Sequence, residues 1–182
     1  MALSEEKQDK RFHVWGLDNP NQYCSYVTKG QVVADLGCGP GYYTLALAEA
    51  VGPEGRVYAV DSDENAIRTL EKKADKRGIH NIEAYTSSAS DLRFIKDGSV
   101  DFVLAYGLLC SMAPRYRESA VNEMKRILKP SGIAYLCAAR GPWSYIDRAE
   151  WEKILEGFRV KRRSDDDGFP AISDMWAVVS IV

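Results

Sequence analysis

The feature that most constrains this chain is the run Asp35-Leu36-Gly37-Cys38-Gly39-Pro40-Gly41, with three glycines at alternate positions between a β-rich stretch and a segment of helical period. Glycine has no Cβ, so such a loop turns sharply after a strand and lets a ligand approach the backbone closely. A plain tight turn does not require three glycines, a preceding acid and a following helix. Asp61 comes about twenty residues after the loop, at the end of the next β-rich run, where a carboxylate can accept both hydroxyls of a ribose. The pattern therefore implies a nucleotide-like ligand.

The rest of the chain supplies the frame for such a loop. Gln31 to Leu36 reads as a strand, Tyr42 to Val51 as a helix ended by Gly52-Pro53-Glu54-Gly55, and Arg56 to Val60 as the second strand. A helix over about Asp63 to Arg77 carries Ile67, Leu70 and Ala74 on one stripe. Strands follow at Ile82 to Thr86 and Asp101 to Ala105. Arg115 to Leu128 reads as a helix, stopped by Lys129-Pro130-Ser131-Gly132, before a strand at Ile133 to Ala139. Trp151, Ile154, Leu155 and Phe158 share a helical face, and the runs Phe158 to Ser164 and Met175 to Val182 lie close enough to pair antiparallel. The expected fold is α/β: a doubly wound, mostly parallel seven-stranded sheet flanked by helices, with an antiparallel C-terminal hairpin. With 182 residues, one domain is expected, a helical or lid segment at 1–29 preceding a Rossmann-like core at 30–182.

Composition narrows the function classes. With 24 basic and 26 acidic side chains and a net charge of −2, no overall field gathers nucleic acid or an anionic membrane. The basic run Lys161-Arg162-Arg163 is followed by Ser164-Asp165-Asp166-Asp167, so the charge cancels locally, and no nucleic-acid partner is expected. The four cysteines include no CxxC pair and only two histidines accompany them, which predicts reduced thiols, no metal site and a cytoplasmic protein. The charged N-terminal stretch and the short apolar run near Phe102 to Ala113 predict neither a signal peptide nor a membrane span.

The glycine spacing separates two nucleotide-binding classes. In the nicotinamide and flavin fingerprint the third glycine comes three residues after the second. Here that position is Tyr42 or Thr44, depending on the starting glycine, which disfavours an NAD-dependent oxidoreductase. The residues instead resemble the class I S-adenosylmethionine-dependent methyltransferases, particularly their small-molecule branch with the quinone-biosynthesis enzymes, over roughly Gly30 to Ala139. The resemblance implies S-adenosyl-L-methionine as cofactor. It places Asp35 near the ammonium of its methionine part, wraps Gly37, Cys38, Gly39 and Gly41 around that part, and sets Asp61, with Ser62 beside it, at the ribose. The family's Gly-Asp-Ala-x-x-Leu-Pro-Phe segment aligns with Ser87-Ser88-Ala89-Ser90-Asp91-Leu92-Arg93-Phe94. Its aspartate is replaced by Ser88, whose hydroxyl is a weaker acceptor for the adenine amino group, next to Ala89. Asp97 to Leu104 and Leu128 to Gly132 also resemble family segments, in the same order.

The resemblance implies methyl transfer by in-line displacement to a small or medium acceptor, a reaction for which no catalytic base is compulsory. A regulatory or scaffold protein that binds the cofactor without transferring methyl groups is the alternative, because the loop Tyr106-Gly107-Leu108-Leu109-Cys110-Ser111 lacks the histidine many relatives carry there. Tyr106 is the candidate for packing against cofactor or acceptor, with a half-buried strand-end tyrosine as the plainer reading. Trp15, Tyr23, Tyr106 and Leu108 are the acceptor or lid candidates. The aromatic N-terminal segment is open to two readings, a lid over the cofactor or a helix packed on the sheet.

Overall fold

The computed structural model describes residues 19–138, 146–164 and 175–182. Its elements in chain order are α1 (Asn21–Cys24), β1 (Val32–Leu36), α2 (Tyr42–Val51), β2 (Arg56–Asp61), α3 (Glu64–Arg77), β3 (Ile82–Thr86), β4 (Val100–Tyr106), α4 (Leu108–Ser111), α5 (Pro114–Ile127), β5 (Leu128–Ala138), α6 (Arg148–Leu155), β6 (Phe158–Arg163) and β7 (Met175–Ile181). The seven strands form one sheet in the order β3-β2-β1-β4-β5-β7-β6. The first five run parallel, and β7 joins antiparallel to both β5 and β6. This is the expected sheet, with the hairpin partner β7 inserted between β5 and β6.

The strand order reverses at β1. From β1 the chain steps outward through β2 to β3, then returns to place β4 on the other side of β1. Loops leaving β1 and β4 therefore part in opposite directions above the C-terminal ends of the strands, which opens the crevice where sheets of this type take their ligands. Local chemistry sets the helices that frame it. Asp63 caps α3 by accepting from the Asn65 amide at 2.9 Å, and Lys76 and Arg77 occupy its last turn, where cations complement the helix dipole. Ile67, Leu70 and Ala74 form its buried stripe.

Burial follows the two faces of the sheet. On one face Val33, Val57, Phe102 and Leu104 pack with Leu47 and Val51 of α2 and with Tyr23. On the other, Ala34, Leu36, Val103 and Ala105 pack with Ala120, Met124 and Ile127 of α5 and Trp151 of α6. The consecutive strand residues Val33, Ala34, Asp35 and Leu36 are all buried, as expected of a strand covered on both sides.

One local expectation is corrected. Lys129-Pro130-Ser131-Gly132 does not separate helix from strand: β5 starts at Leu128 and passes through these residues as a bulge, since Val100 pairs with Leu128 while Phe102 pairs with Ile133. Pro130 falls within the irregular stretch, where its missing N–H costs no ladder bond. The short helix α4 was not expected, and it follows Gly107. Within the segment at 1–29 the described residues carry the four-residue helix α1. Ala139, read as the end of the fifth strand, lies outside the described residues.

Candidate active site

A cleft of about 150 Å³ lies at the C-terminal edge of the sheet, lined by Gly37 after β1, Val60, Asp61 and Ser62 at the end of β2, Ser87, Ser88 and Ala89 after β3, and Tyr106, Gly107, Leu108, Ser111 and Met112 after β4. Residues from four separate chain segments, Gly37, Asp61, Ser88, and Tyr106 with Leu108, meet there because four adjacent parallel strands end at one level. Val60, Ser87, Gly107, Ser111 and Met112 line the same cleft and were not singled out from the sequence. Ser87 was legible as the neighbour of Ser88. Val60 lies near the end of β2, and Gly107, Ser111 and Met112 enter with α4, whose four residues are too few to show a period.

The glycine loop is held in a conformation that other residues resist. Gly37 has φ +78°, and a Cβ there would lie 3.1 Å from Leu108 Cδ1, so the loop after β1 and α4 touch across the cleft floor. Gly41 has φ +88°, and a Cβ there would come within 2.4 Å of Leu70 Cδ1 in the core beneath α3. The loop is thus clamped between cleft and core.

Asp61 organises the same loop through its carboxylate. Oδ2 accepts from the Gly39 amide at 2.8 Å and Oδ1 from the Asp63 amide at 2.9 Å. Each carboxylate oxygen has two lone pairs, so both retain accepting capacity on a side chain that lines the cleft.

Asp35, Cys38, Gly39 and Gly41 lie outside the cleft lining. Asp35 is 2% exposed in the middle of the sheet, where Oδ2 accepts from Thr44 Oγ1 at 2.6 Å. Burial pushes its pKa up to about 7 despite the opposing Thr44 hydrogen bond, and the nearby Asp61 charge adds to the rise. Burial, reinforced by Asp35 and Asp61, also holds the Cys38 thiol far above its ordinary range, so this cysteine is a protonated packing group. Ser62 is exposed at the rim.

Of the aromatic candidates, Tyr106 is half-buried and lines the cleft. Tyr23 is fully buried behind it, with ring centroids 6.0 Å apart, and packs edge-on against Tyr43 at 5.2 Å and Tyr135 at 4.8 Å. Tyr23 itself does not line the cleft. Trp15 lies outside the described residues.

The loop from Ser87 to Asp97 is pinned to α5 by two side chains. The Leu92 amide donates to Glu123 Oε2 at 2.7 Å, and Arg126 donates to the carbonyls of Leu92 and Ile95 at 2.8 and 2.9 Å. Arg126 also pairs with Glu123 at 2.7 Å and Asp97 at 2.5 Å. The Arg126 hydrogen bond is the main reason the Glu123 carboxyl sits below its usual range. The contacts between this loop and α5 link residues about 30 positions apart.

The sequence profile of a methyltransferase domain matches residues 33–132, more than half of the chain. The chain belongs to the class I S-adenosylmethionine-dependent methyltransferase family. Demethylmenaquinone methyltransferase from Geobacillus stearothermophilus is 43% identical over 108 residues, covering 59% of this chain and 44% of that protein. The protein of the same name from Listeria welshimeri is 36% identical over 137 residues, covering 72% of this chain and 56% of the relative. This methyltransferase domain thus spans about half the length of the curated relatives it matches. A solved S-adenosylmethionine-dependent methyltransferase from Aquifex aeolicus superposes with a TM-score of 0.73 at 26% identity, covering 90% of both chains. A TehB-like methyltransferase from Corynebacterium glutamicum shares the fold, with a TM-score of 0.76 at 18% identity and coverage of 97% and 96%.

S-adenosylmethionine is the cofactor of the family, and the methyltransferase domain presents groups that fit it. The side chain missing from Gly37 keeps the cleft floor open, and Asp61 offers a carboxylate with spare lone pairs at the strand end where a ribose would lie. Among the described residues no cluster of His, Cys, Asp and Glu is placed to hold a metal ion, and no helix is long and apolar enough to cross a membrane.

Proposed function

We propose that this chain transfers the methyl group of S-adenosylmethionine to a small or medium acceptor. The supporting observation is the convergence of Gly37, Asp61, Ser88, Ala89 and Tyr106 on one cleft at the point of strand reversal. In this reading Asp61 and Ser62 hold the ribose, Ser88 and Ala89 face the base, and Gly37, Cys38, Gly39 and Gly41 shape the backbone around the methionine part. Asp35, buried beneath that loop, supplies negative charge toward the ammonium. The cofactor carries an activated methyl on a good leaving group. The protein's share is to orient the acceptor in line and exclude water, effects worth up to about 7–11 kcal/mol.

Tyr106 and Leu108 form the acceptor side of the cleft. Among the described residues its lining contains no histidine, lysine or glutamate. The relatives' names mention demethylmenaquinone, and a quinol-type aromatic hydroxy compound is the first acceptor class to test.

Calorimetry with S-adenosylmethionine, S-adenosylhomocysteine and NAD tests the binding half: the sulfur nucleotides should bind and NAD should not. Transfer of labelled methyl groups to quinol and phenol acceptors tests the catalytic half. Tight cofactor binding with no transfer to any acceptor in a metabolite pool would favour a non-catalytic, cofactor-sensing protein.

A further inference from the structure

The two edges of the sheet are unlike. One edge is β6, which carries exposed Arg159, Lys161 and Arg162 and a register shift between Val160 and Arg162. Charged side chains and bulges are the usual means by which an edge strand is kept from pairing with another chain. The other edge is β3, Ile82-Glu83-Ala84-Tyr85-Thr86. It contains no lysine, arginine or proline, and its pairing with β2 is regular from Ile82 to Thr86.

The ladder to β2 fixes which groups of β3 point outward. The Val57 amide donates to the Asn81 carbonyl and the Ser87 amide to the Asp61 carbonyl, each at 2.9 Å. Alternate residues of a parallel strand turn their backbone groups to one neighbour, so Asn81, Glu83, Tyr85 and Ser87 face β2. Ile82, Ala84 and Thr86 turn theirs outward, where no described residue pairs with them. One sheet face beside this edge also lacks a helix, because the chain forms none between β3 and β4. There Phe94 stacks on Tyr85 with ring centroids 4.0 Å apart and stays 36% exposed. Glu83 is neutralised within the chain: Arg56 lies 3.1 Å from its Oε1, and Tyr85 Oη donates to its Oε2 at 3.0 Å.

We infer that β3 pairs antiparallel with β3 of a second copy of this chain about a two-fold axis at Ala84, joining the two sheets into one. The outward groups select this register. An axis at Ala84 sets Ala84 against Ala84 of the second copy and Ile82 against its Thr86, so each outward N–H meets an outward carbonyl. It also sets Glu83 beside Tyr85 of the second copy, the same carboxylate and phenol that already meet within the strand. An axis at Glu83 would place two carboxylates directly opposite each other. One at Tyr85 would carry Ile82 past the end of the facing strand.

Ala84→Pro tests the axis in the intact chain. Proline there removes only an outward N–H and leaves the ladder to β2 in place, a position where edge strands tolerate it. In sedimentation velocity the wild-type chain should dimerise by about 100 μM, a concentration that captures interfaces of limited area. Ala84→Pro should weaken the dimer by about tenfold or more, since both donors at the axis are lost. Disulfide capture reads the register without relying on the fold of the proline variant. Ala84→Cys should oxidise to a covalent dimer, because directly opposed Cα atoms lie about 5.5 Å apart, within disulfide reach. Ile82→Cys should not, since it is offset from its own copy by about 13 Å along the strands. The wild-type chain, with Cys38, Cys110 and Cys137 buried, gives the background. A wild-type monomer at about 100 μM would overturn the pairing, as would a dimer that a folded Ala84→Pro leaves unchanged or that Ala84→Cys fails to capture.

Discussion

The Asp61 carboxylate and the Gly39 amide are joined at 2.8 Å across 22 positions of sequence, so the acid at the end of β2 also sets the conformation of the glycine loop after β1. In the proposed reading, ligand contact and loop shape are therefore coupled in one side chain. Asp61→Ala should weaken S-adenosylhomocysteine by roughly 1–3 kcal/mol, the usual cost of losing a charge-assisted hydrogen bond, as read by calorimetry. Unchanged affinity would remove Asp61 from the ribose.

Asp35 predicts an unusual pH dependence. Its folded-state pKa, about 7, lies above the unfolded value, so between about pH 4 and 7 the native state holds a proton that the unfolded chain has released. Rising pH therefore drains stability across that window, and the loss is complete above the folded pKa. Asp35→Asn keeps an acceptor for Thr44 and should abolish this slope, so that the melting temperature of the variant relative to wild type increases from pH 4 to pH 8. A constant difference would count against the assignment.

A cationic ligand group near Asp35 would favour its ionised form. Cofactor binding below pH 7 should then release a proton, and affinity should rise with pH until about 7. Calorimetry in buffers of differing ionisation enthalpy reads the proton directly. No release at pH 6 would place the ammonium elsewhere.

Gly41→Ala combines a left-handed φ with a Cβ 2.4 Å from buried Leu70 Cδ1. The left-handed conformation alone costs roughly 1–2 kcal/mol, and Leu70 must also move. A drop of several degrees in melting temperature is expected, at about 2–4 °C per kcal/mol for a domain of this size. Gly37→Ala should lower cofactor affinity as well, since its Cβ would press on Leu108 in the cleft.

Arg126→Ala removes the bonds that hold the Ser87–Asp97 loop to α5. Loss of charged hydrogen bonds to backbone should destabilise the protein by about 2–4 kcal/mol and increase hydrogen exchange at the Leu92 amide. The same network predicts acid sensitivity. Glu123 is held below its ordinary pKa, so its contribution is present above the unfolded value and is lost as pH falls through the lower folded one.

What the sequence by itself determined is the periodic part of this protein. Alternating β-rich and helical segments announce a parallel sheet, and Gly37, Gly39, Gly41 and Asp61 mark the loop and the strand end, because backbone turns and strand lengths are encoded within a few residues. The irregular stretch at Lys129 to Gly132 was legible as a break in pattern, but its absorption into β5 depends on pairing with β4. Only the tertiary structure decided that Asp35 is buried away from the cleft while Asp61 lines it, that Tyr23 packs behind Tyr106, and that Arg126 and Glu123 hold the Ser87–Asp97 loop. Those outcomes arise from contacts between residues distant in the chain, and desolvation and hydrogen-bond pairing are set by surroundings that local sequence does not specify.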